Sequence, residues 1–264
     1  MLTGVLLGAV VGVVMGLTGA GGGILAVPLL VFGLHLPITE AGPIGLLAVG
    51  IASTLGALQG LRMGIVRYRA ALLVAAVGIV ASPAGLWLAH RLDTKVLSLV
   101  FAGVLLLVAY RNVQAGRLGE QAVQRNTAPP CVRDAASGRF IWTSRCATRL
   151  SLAGGVAGVL SGLLGVGGGF VMVPALQRYT DLAMQSVVRT SLAIIALISL
   201  SGVVTAAGSG HLQLEVALPF TLGALGGMLG GGKLSARLPG GYLKVAFGVV
   251  CALVAAGMAA RALG

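Results

Sequence analysis

Gly19-Ala20-Gly21-Gly22-Gly23 is the stretch that decides the fold, because it interrupts a long apolar segment near the start of the chain. The pattern returns as Gly165-Val166-Gly167-Gly168-Gly169, and the two stretches align at a constant offset of 146 residues. Identical residues recur around them at the same offset: Gly12 and Gly158, Gly16 and Gly162, Val27 and Val173, Pro28 and Pro174. A fixed offset of this kind indicates a duplicated structural unit.

The duplication divides the chain into three regions. These are a first transmembrane repeat over residues 1–118, a polar, arginine-rich cytoplasmic connector over 119–146 and a second transmembrane repeat over 147–264. Hydrophobic residues make up 57% of the chain and charged residues only 9%, whereas a soluble domain carries about a quarter charged residues. The composition therefore excludes a soluble protein and predicts an integral membrane protein.

Each glycine run falls where a single membrane-spanning helix would otherwise form. The apolar pieces on either side of the first run, 2–17 and 24–34, are each short of the roughly 20 residues that a span needs. Three consecutive glycines also disfavour helix, so we expect a discontinuous helix or a re-entrant hairpin there. Full spans are expected at 44–61, 70–88, 96–110, 187–207, 214–232 and 242–260, after broken segments at 2–34 and 150–176.

The predicted fold is thus all-α, with two homologous repeats that each contain one glycine-broken helix and three transmembrane helices. If each broken segment is a hairpin, the repeats are inverted, and a cytoplasmic connector places all but Arg91, Lys95 and Arg261 of the 18 Lys and Arg residues inside. Parallel repeats would place fewer inside, so the positive-inside rule favours inversion. The expected location is the bacterial inner (cytoplasmic) membrane. The net charge of +12 then reports topology, and we expect no nucleic-acid partner.

Cysteine spacing gives a further expectation. Cys131 and Cys146 lie in the connector without the additional ligands that a zinc site needs. In a cytosolic connector they are predicted to be free thiols, and no metal site or cofactor is expected.

The glycine runs also predict a binding site. A half-helix that starts after Gly23 or Gly169 has backbone N–H groups without partners and a positive dipole end, which together favour an anion. Paired discontinuous helices are typical of transport sites. The candidate backbone positions are Gly21, Gly22, Gly23, Gly167, Gly168 and Gly169. The alternative is that glycine serves helix packing alone, which we expect for the regularly spaced Gly8, Gly12, Gly16, Gly154, Gly158 and Gly162.

The repeated G-x-G-G-G pattern, followed by apolar residues and a proline, resembles the TauE/SafE sulfite-exporter family over both repeats. The resemblance implies a membrane transporter for sulfite, organosulfonates or other sulfur-containing anions. The family often has a Thr-Ser-Leu triplet after each glycine segment, and Thr190-Ser191-Leu192 matches it. The first repeat has Ile44-Gly45-Leu46 instead, so a site built on these hydroxyls would not be symmetric.

Polar side chains near the breaks complete the candidate site. Thr18, Ser53, Thr54, Thr190 and Ser191 supply hydroxyls, and Ser199 lies mid-span as well, although such hydroxyls often bond to their own helix. Arg189 is the cation that could reach an anion at a helix start, and its alternative role is that of a topology marker.

The leading hypothesis is a secondary transporter, in the export direction, for a small sulfur-containing anion bound at the membrane midplane. Proton or sodium would be the coupling ion. The sequence leaves open whether the transporter is a homodimer. The alternative is a membrane-embedded hydrolase or phosphatase with inverted repeats, but that chemistry needs carboxylates or a metal at depth. A purely structural membrane subunit would not require two matched glycine breaks.

Overall fold

A computed structural model of the chain describes residues 2–19, 22–117, 130–132, 140, 142–208, 213–235 and 240–263. The described residues form helices and no strand, apart from one isolated bridge between Cys131 and Thr180. The helices are α1 (Leu2–Thr18), α2 (Gly22–Gly33), α3 (Ile38–Arg62), α4 (Tyr68–Arg91), α5 (Thr94–Arg117), α6 (Ser144–Leu164), α7 (Gly169–Tyr179), α8 (Met184–Gly208), α9 (Leu214–Ser235) and α10 (Gly240–Leu263).

The helix bounds follow the offset seen in the sequence. Helices α3 and α8 begin and end at positions that correspond at an offset of 146 residues, as do α5 and α10. Six of the described helices are long and apolar enough to cross a membrane. The helices of the described residues are thus those of an integral membrane protein, as the composition predicts.

Both glycine breaks turn the chain back on itself. Gly22 at the start of α2 packs against Met15 of α1, and Gly33 at its end packs against Leu7, so α2 runs antiparallel to α1. In the second repeat Gly168 packs against Ala157 of α6. The Cys131 N–H donates to the Tyr179 carbonyl oxygen at the end of α7. Because Cys131 is bonded to Cys146 near the start of α6, α7 also returns along its partner helix.

Helices α3 and α8 cross in antiparallel orientation at the centre of the molecule. Going along α3, Gly50 faces Ser199, Gly56 faces Leu192 and Gly60 faces Arg189, so the numbers rise on one helix as they fall on the other. The contact between Gly50 and Ser199 lies near the middle of both helices. The two hairpins flank this crossing, and it therefore positions the glycine breaks.

Regularly spaced glycines bring the outer helices into close contact. A Cβ on Gly12 of α1 would lie 2.0 Å from the Ala224 carbonyl oxygen of α9, and a Cβ on Gly158 of α6 would lie 2.1 Å from the Gly78 carbonyl oxygen of α4. The same closeness holds at Gly8, Gly16, Gly154 and Gly162. The absence of a side chain lets the backbones approach, which confirms the packing prediction for these six glycines.

Helix α6 is longer than the sequence predicts. It begins at Ser144, inside the predicted connector, where the Thr143 side-chain oxygen accepts a hydrogen bond from the Cys146 N–H at 3.2 Å. A Thr in this position satisfies a backbone N–H that has no partner within the helix. The resulting 21-residue helix is among the six that could span a membrane alone. Most of the predicted connector lies outside the described residues.

The prediction of free thiols in the connector is wrong. Cys131 and Cys146 form a disulfide with a Cα–Cα distance of 4.9 Å, and neither residue is exposed. A spacing of 15 residues does not reveal such a pair. What brings the sulfurs together is the bridge between the segment at Cys131 and the turn after α7, which returns the connector to the start of α6.

Candidate functional site

The two glycine breaks approach each other at the centre of the molecule. A Cβ on Gly23, in the first turn of α2, would lie 3.1 Å from the Val166 carbonyl oxygen of the second break and 3.2 Å from Val49 of α3. A Cβ on Gly167 would lie 2.6 Å from the Ser199 Oγ and 3.7 Å from the same Val49 side chain. The first turn of α2 and the turn that precedes α7 thus share one central region.

The glycines within each break differ in what they face. Gly22 and Gly168 face the backbone carbonyls of Val11 and Ala157, each 2.5 Å from a built Cβ, so they pack against α1 and α6. Gly23 and Gly167 face the region between the two breaks instead. The second break also requires glycine for its backbone, because Gly165, Gly167 and Gly168 all have φ near +70°. Gly169 begins α7, and Gly21 lies outside the described residues.

Two serines near the α3–α8 crossing have hydroxyls without a partner. Ser53 and Ser199 correspond at the offset of 146 residues, and neither is exposed. Neither Oγ makes a hydrogen bond in the structure. Buried hydroxyls are almost always paired, so these two positions differ from the other candidate hydroxyls.

Those other hydroxyls are engaged by the protein itself. Thr18, Thr54 and Ser191 each donate at 2.8 Å to a carbonyl oxygen of their own helix. Thr190 Oγ1 accepts the Arg67 N–H at 3.1 Å, which fixes the turn before α4 against α8. Thr54 is exposed and points away from the buried Ser53. Thr18 borders a cavity. A role for these hydroxyls in substrate binding stays a prediction.

A cavity of about 1070 Å³ opens on the face where α5 ends and α6 begins. Its described lining contains five cations and no Asp or Glu. The cations are Arg111, Arg149, Arg178, Arg189 and Lys244. Arg111, Arg149 and Arg178 are exposed, and Arg189 is half-buried further in. A cleft lined by charge of one sign concentrates small ions of the opposite sign, so this cavity favours anions.

Arg189 lies at the inner end of the cavity. One of its guanidinium nitrogens, Nη1, donates to the Gly56 carbonyl oxygen and to Gln59 Oε1, both at 3.1 Å. The side chain thereby links α8 to α3 beside the cavity-lining residues Gly56 and Leu192. Arg189 lies ten residues along α8 from Ser199, and its role in anion binding stays a prediction, as does its alternative role as a topology marker.

The other four cavity cations were not predicted as site residues, since their loop positions suggested topology alone. At the offset of 146 residues, each of the five cations corresponds to an uncharged residue on the other repeat. These counterparts are Thr3, Phe32, Pro43, Ser98 and Gly257. In inverted repeats corresponding positions lie on opposite faces, so the positive-inside rule alone also predicts a charge at one member of each pair.

Comparison with known proteins decides the family. The family model described as sulfite exporter TauE/SafE matches residues 4–258 of this chain. The chain belongs to the TauE/SafE family. No solved structure matches it significantly. The match covers both repeats, and the resemblance that the glycine runs indicate is therefore confirmed.

Relatives of this TauE/SafE protein are named as transporters. The chain is 28% identical to the "Probable membrane transporter protein YunE" of Bacillus subtilis over 86% of this chain and 85% of the relative. It is 26% identical to a "Probable membrane transporter protein" of Xylella fastidiosa over 94% and 90% of the two chains. A Methanocaldococcus jannaschii protein, "Probable membrane transporter protein MJ0441", is 23% identical over 76% and 70%. The chain is thus a multi-pass membrane transporter and not an enzyme.

Proposed function

We propose that this TauE/SafE transporter carries a small sulfur-containing anion, such as sulfite or an organosulfonate, by alternating access. The observation that supports it most is the cavity with five cations and no acidic residue in its described lining. The cavity leads towards the central region between the two glycine breaks. There the N-termini of α2 and α7 would bind the anion through backbone N–H groups, without a fully buried Lys or Arg.

Inverted repeats would give the transporter its two access states. Helices α3 and α8 correspond at the sequence offset and cross in antiparallel orientation, which supports inversion. Each hairpin, α1–α2 and α6–α7, would enter and leave on its own side of the membrane. Exchanging the conformations of the two repeats would then close the present cavity and open its counterpart on the opposite face.

The cation asymmetry supports loading from the face with the connector. The counterparts of Arg111 and Arg178 are Gly257 and Phe32, and the Phe32 ring packs 3.5 Å from the Cβ position of Gly257. The opposite entrance is therefore apolar and filled at this point. An anion would be captured on the cationic side and released where few charges retain it. With a cytoplasmic connector, this direction is export.

The charge distribution and the disulfide favour opposite sides of the membrane for the connector. Disulfides are rare in a reducing cytosol, whereas the Lys and Arg residues of this chain favour the cytosolic side for the connector. Exchange with a reductant requires attack on a sulfur, and Cys131 and Cys146 are fully buried. We therefore place the connector inside and attribute persistence of the bond to burial.

Transport by the purified full-length protein in liposomes tests the function. We expect saturable uptake of radiolabelled sulfite that methanesulfonate inhibits and dimethyl sulfone, a neutral molecule of similar size, does not. Replacing the exposed Arg149 and Arg178 by Gln should reduce uptake at low sulfite by about tenfold at low ionic strength, and by less at high salt. The control is Arg91→Gln, on the opposite face. The proposal would be contradicted if sulfite uptake did not saturate and methanesulfonate did not inhibit it.

A further inference from the structure

The unpartnered hydroxyls of Ser53 and Ser199 are a feature that the packing of the described residues does not explain. Burying a hydroxyl without a hydrogen bond is unfavourable, and a serine in each repeat does so at corresponding positions. The other candidate hydroxyls on these helices, at Thr54 and Ser191, bond to their own backbone. A ligand that binds in another state of the transport cycle would supply the missing partner.

The surroundings of the pair identify the kind of ligand. The Ser199 Oγ is directed at Gly167, in the turn just before α7. The Ser199 Cβ also lies 3.0 Å from the Cβ position of Gly50, and Ser53 follows Gly50 by about one turn of α3. Gly23, in the first turn of α2, faces the Val166 carbonyl oxygen, which belongs to the turn before α7. The turn before α7 thus lies beside Ser199, and the first turn of α2 lies beside Val49, one turn of α3 before Ser53. The N-termini of both half-helices favour negative charge.

We infer that Ser53 and Ser199 donate their hydroxyl hydrogens to one oxyanion, which binds between the N-termini of α2 and α7. This inference rests on the proposed function. It names the substrate class and the position at which the anion binds, between Ser53 and Ser199, called the serine seat below. Two hydroxyls on crossing helices match an anion with at least two acceptor oxygens on one centre, as in sulfite or a sulfonate.

The serine seat is closed off from the cavity in this structure. The cavity lining reaches Leu55 of α3 and Leu192 of α8 and includes neither Ser53 nor Ser199. Ser199 Oγ itself occupies the space beside Gly167. Because α2 and α7 begin at the breaks, movement of either hairpin away from the α3–α8 crossing would connect the serines to the cavity. Arg189, at the inner end of the cavity, would be the last cation that the anion meets before the seat.

The test combines binding with the stability of the ligand-free protein. Sulfite binding to full-length protein in nanodiscs is measured by calorimetry for Ser53→Ala and Ser199→Ala. The matched controls are Ser201→Ala and Thr221→Val, whose hydroxyls already bond to Ile198 and Ala217 of their own helices. We expect each test variant to bind sulfite about tenfold more weakly or worse. Their ligand-free melting temperatures should stay equal or rise, because alanine removes an unsatisfied hydroxyl, whereas both controls should bind normally.

Each outcome separates this inference from the proposed function. If the unaltered protein binds neither sulfite nor methanesulfonate, the proposed function fails. If it binds them and both alanine variants bind equally well, only the serine seat is wrong. If the variants bind sulfite normally at saturating sodium but more weakly than the unaltered protein at low sodium, the serines hold a cation. The inference is then overturned. Lower ligand-free stability with unchanged affinity would also overturn it, since the hydroxyls would then be structural.

Discussion

Arg189 on α8 donates a 3.1 Å hydrogen bond to the side-chain oxygen of Gln59 on α3. The same guanidinium nitrogen donates to the Gly56 carbonyl oxygen, so a single cation joins the two crossing helices beside the cavity. The counterpart of Arg189 in the first repeat is Pro43. This link therefore exists on one face only and distinguishes the cationic entrance from the opposite one.

Replacing Arg189 should reduce anion transport more than folding. In Arg189→Ala the last cation of the cavity is lost, and loss of a charge-assisted hydrogen bond to the anion should raise the KM for sulfite by about tenfold or more. Concentration-dependent uptake, normalised to correctly folded protein, measures this effect. Gln59→Leu is the matched control, because it removes one of the two hydrogen bonds that link Arg189 to α3 but keeps the cation. If the KM rises equally in both variants, Arg189 acts by joining the helices.

Gly22 and Gly23 should respond differently to the same substitution. Alanine at Gly22 would lie 2.5 Å from the Val11 carbonyl oxygen, so Gly22→Ala should lower the yield of folded protein. Alanine at Gly23 would approach the Val166 carbonyl oxygen at 3.1 Å and the Val49 side chain at 3.2 Å. Gly23→Ala should therefore fold but transport slowly, because the methyl group enters the region where the anion would bind. Normal uptake by Gly23→Ala would place the substrate elsewhere.

Two adjacent glycines of α9 test the helix packing. A Cβ on Gly227 would lie 2.1 Å from the Ala9 carbonyl oxygen of α1, whereas a Cβ on Gly226 would meet nothing within 4 Å. Gly227→Ala should lower the free energy of unfolding by about 1–3 kcal/mol through overpacking. Gly226→Ala should be neutral or stabilising by up to about 1 kcal/mol, since alanine favours helix. Thermal unfolding in detergent compares them, and equal effects would contradict the close α1–α9 contact.

The disulfide should stabilise the α6–α7 hairpin. Closing a loop of 15 residues contributes about 3 kcal/mol in the chain-entropy account, so Cys131→Ser should lower the unfolding midpoint in denaturant. Reductant should have the same effect on the unaltered protein once it reaches the buried sulfurs, and no effect on a Cys131→Ser/Cys146→Ser double variant. An unaltered protein that is insensitive to reductant even after prolonged incubation in mild denaturant would show that the bond is absent.

Membrane sidedness can be measured with single cysteines in a background that lacks the native ones. His35 and Gln213 lie on the face where α3 and α9 begin, and the exposed Met63 lies on the opposite face, where α3 ends. An impermeant maleimide added to intact cells should label His35→Cys and Gln213→Cys and spare Met63→Cys, because the Arg-rich face is cytosolic. The reverse pattern would place the connector outside and agree with the disulfide instead.

Most of the helical plan of this protein could be predicted from the sequence. The glycine runs at 19–23 and 165–169 interrupt helices, because glycine disfavours helix, although Gly230, Gly231 and Gly232 lie inside α9. The offset of 146 residues then predicts matched helices, and α3 and α8 start and end at matched positions. Glycine spacing on α1 and α6 likewise predicted a packing face, since residues four apart lie on one side of a helix.

Contacts between distant segments were decided by the tertiary structure alone. Ser53 and Thr54 are neighbours in sequence, yet only Ser53 is buried without a partner, because the α3–α8 crossing and not the local sequence determines which side chain turns inward. Gly22 and Gly23 face different neighbours for the same reason. The bond between Cys131 and Cys146 depends on the return of α7 to the start of α6. Such pairings join residues that no local pattern connects, so they exist only once the helices have packed.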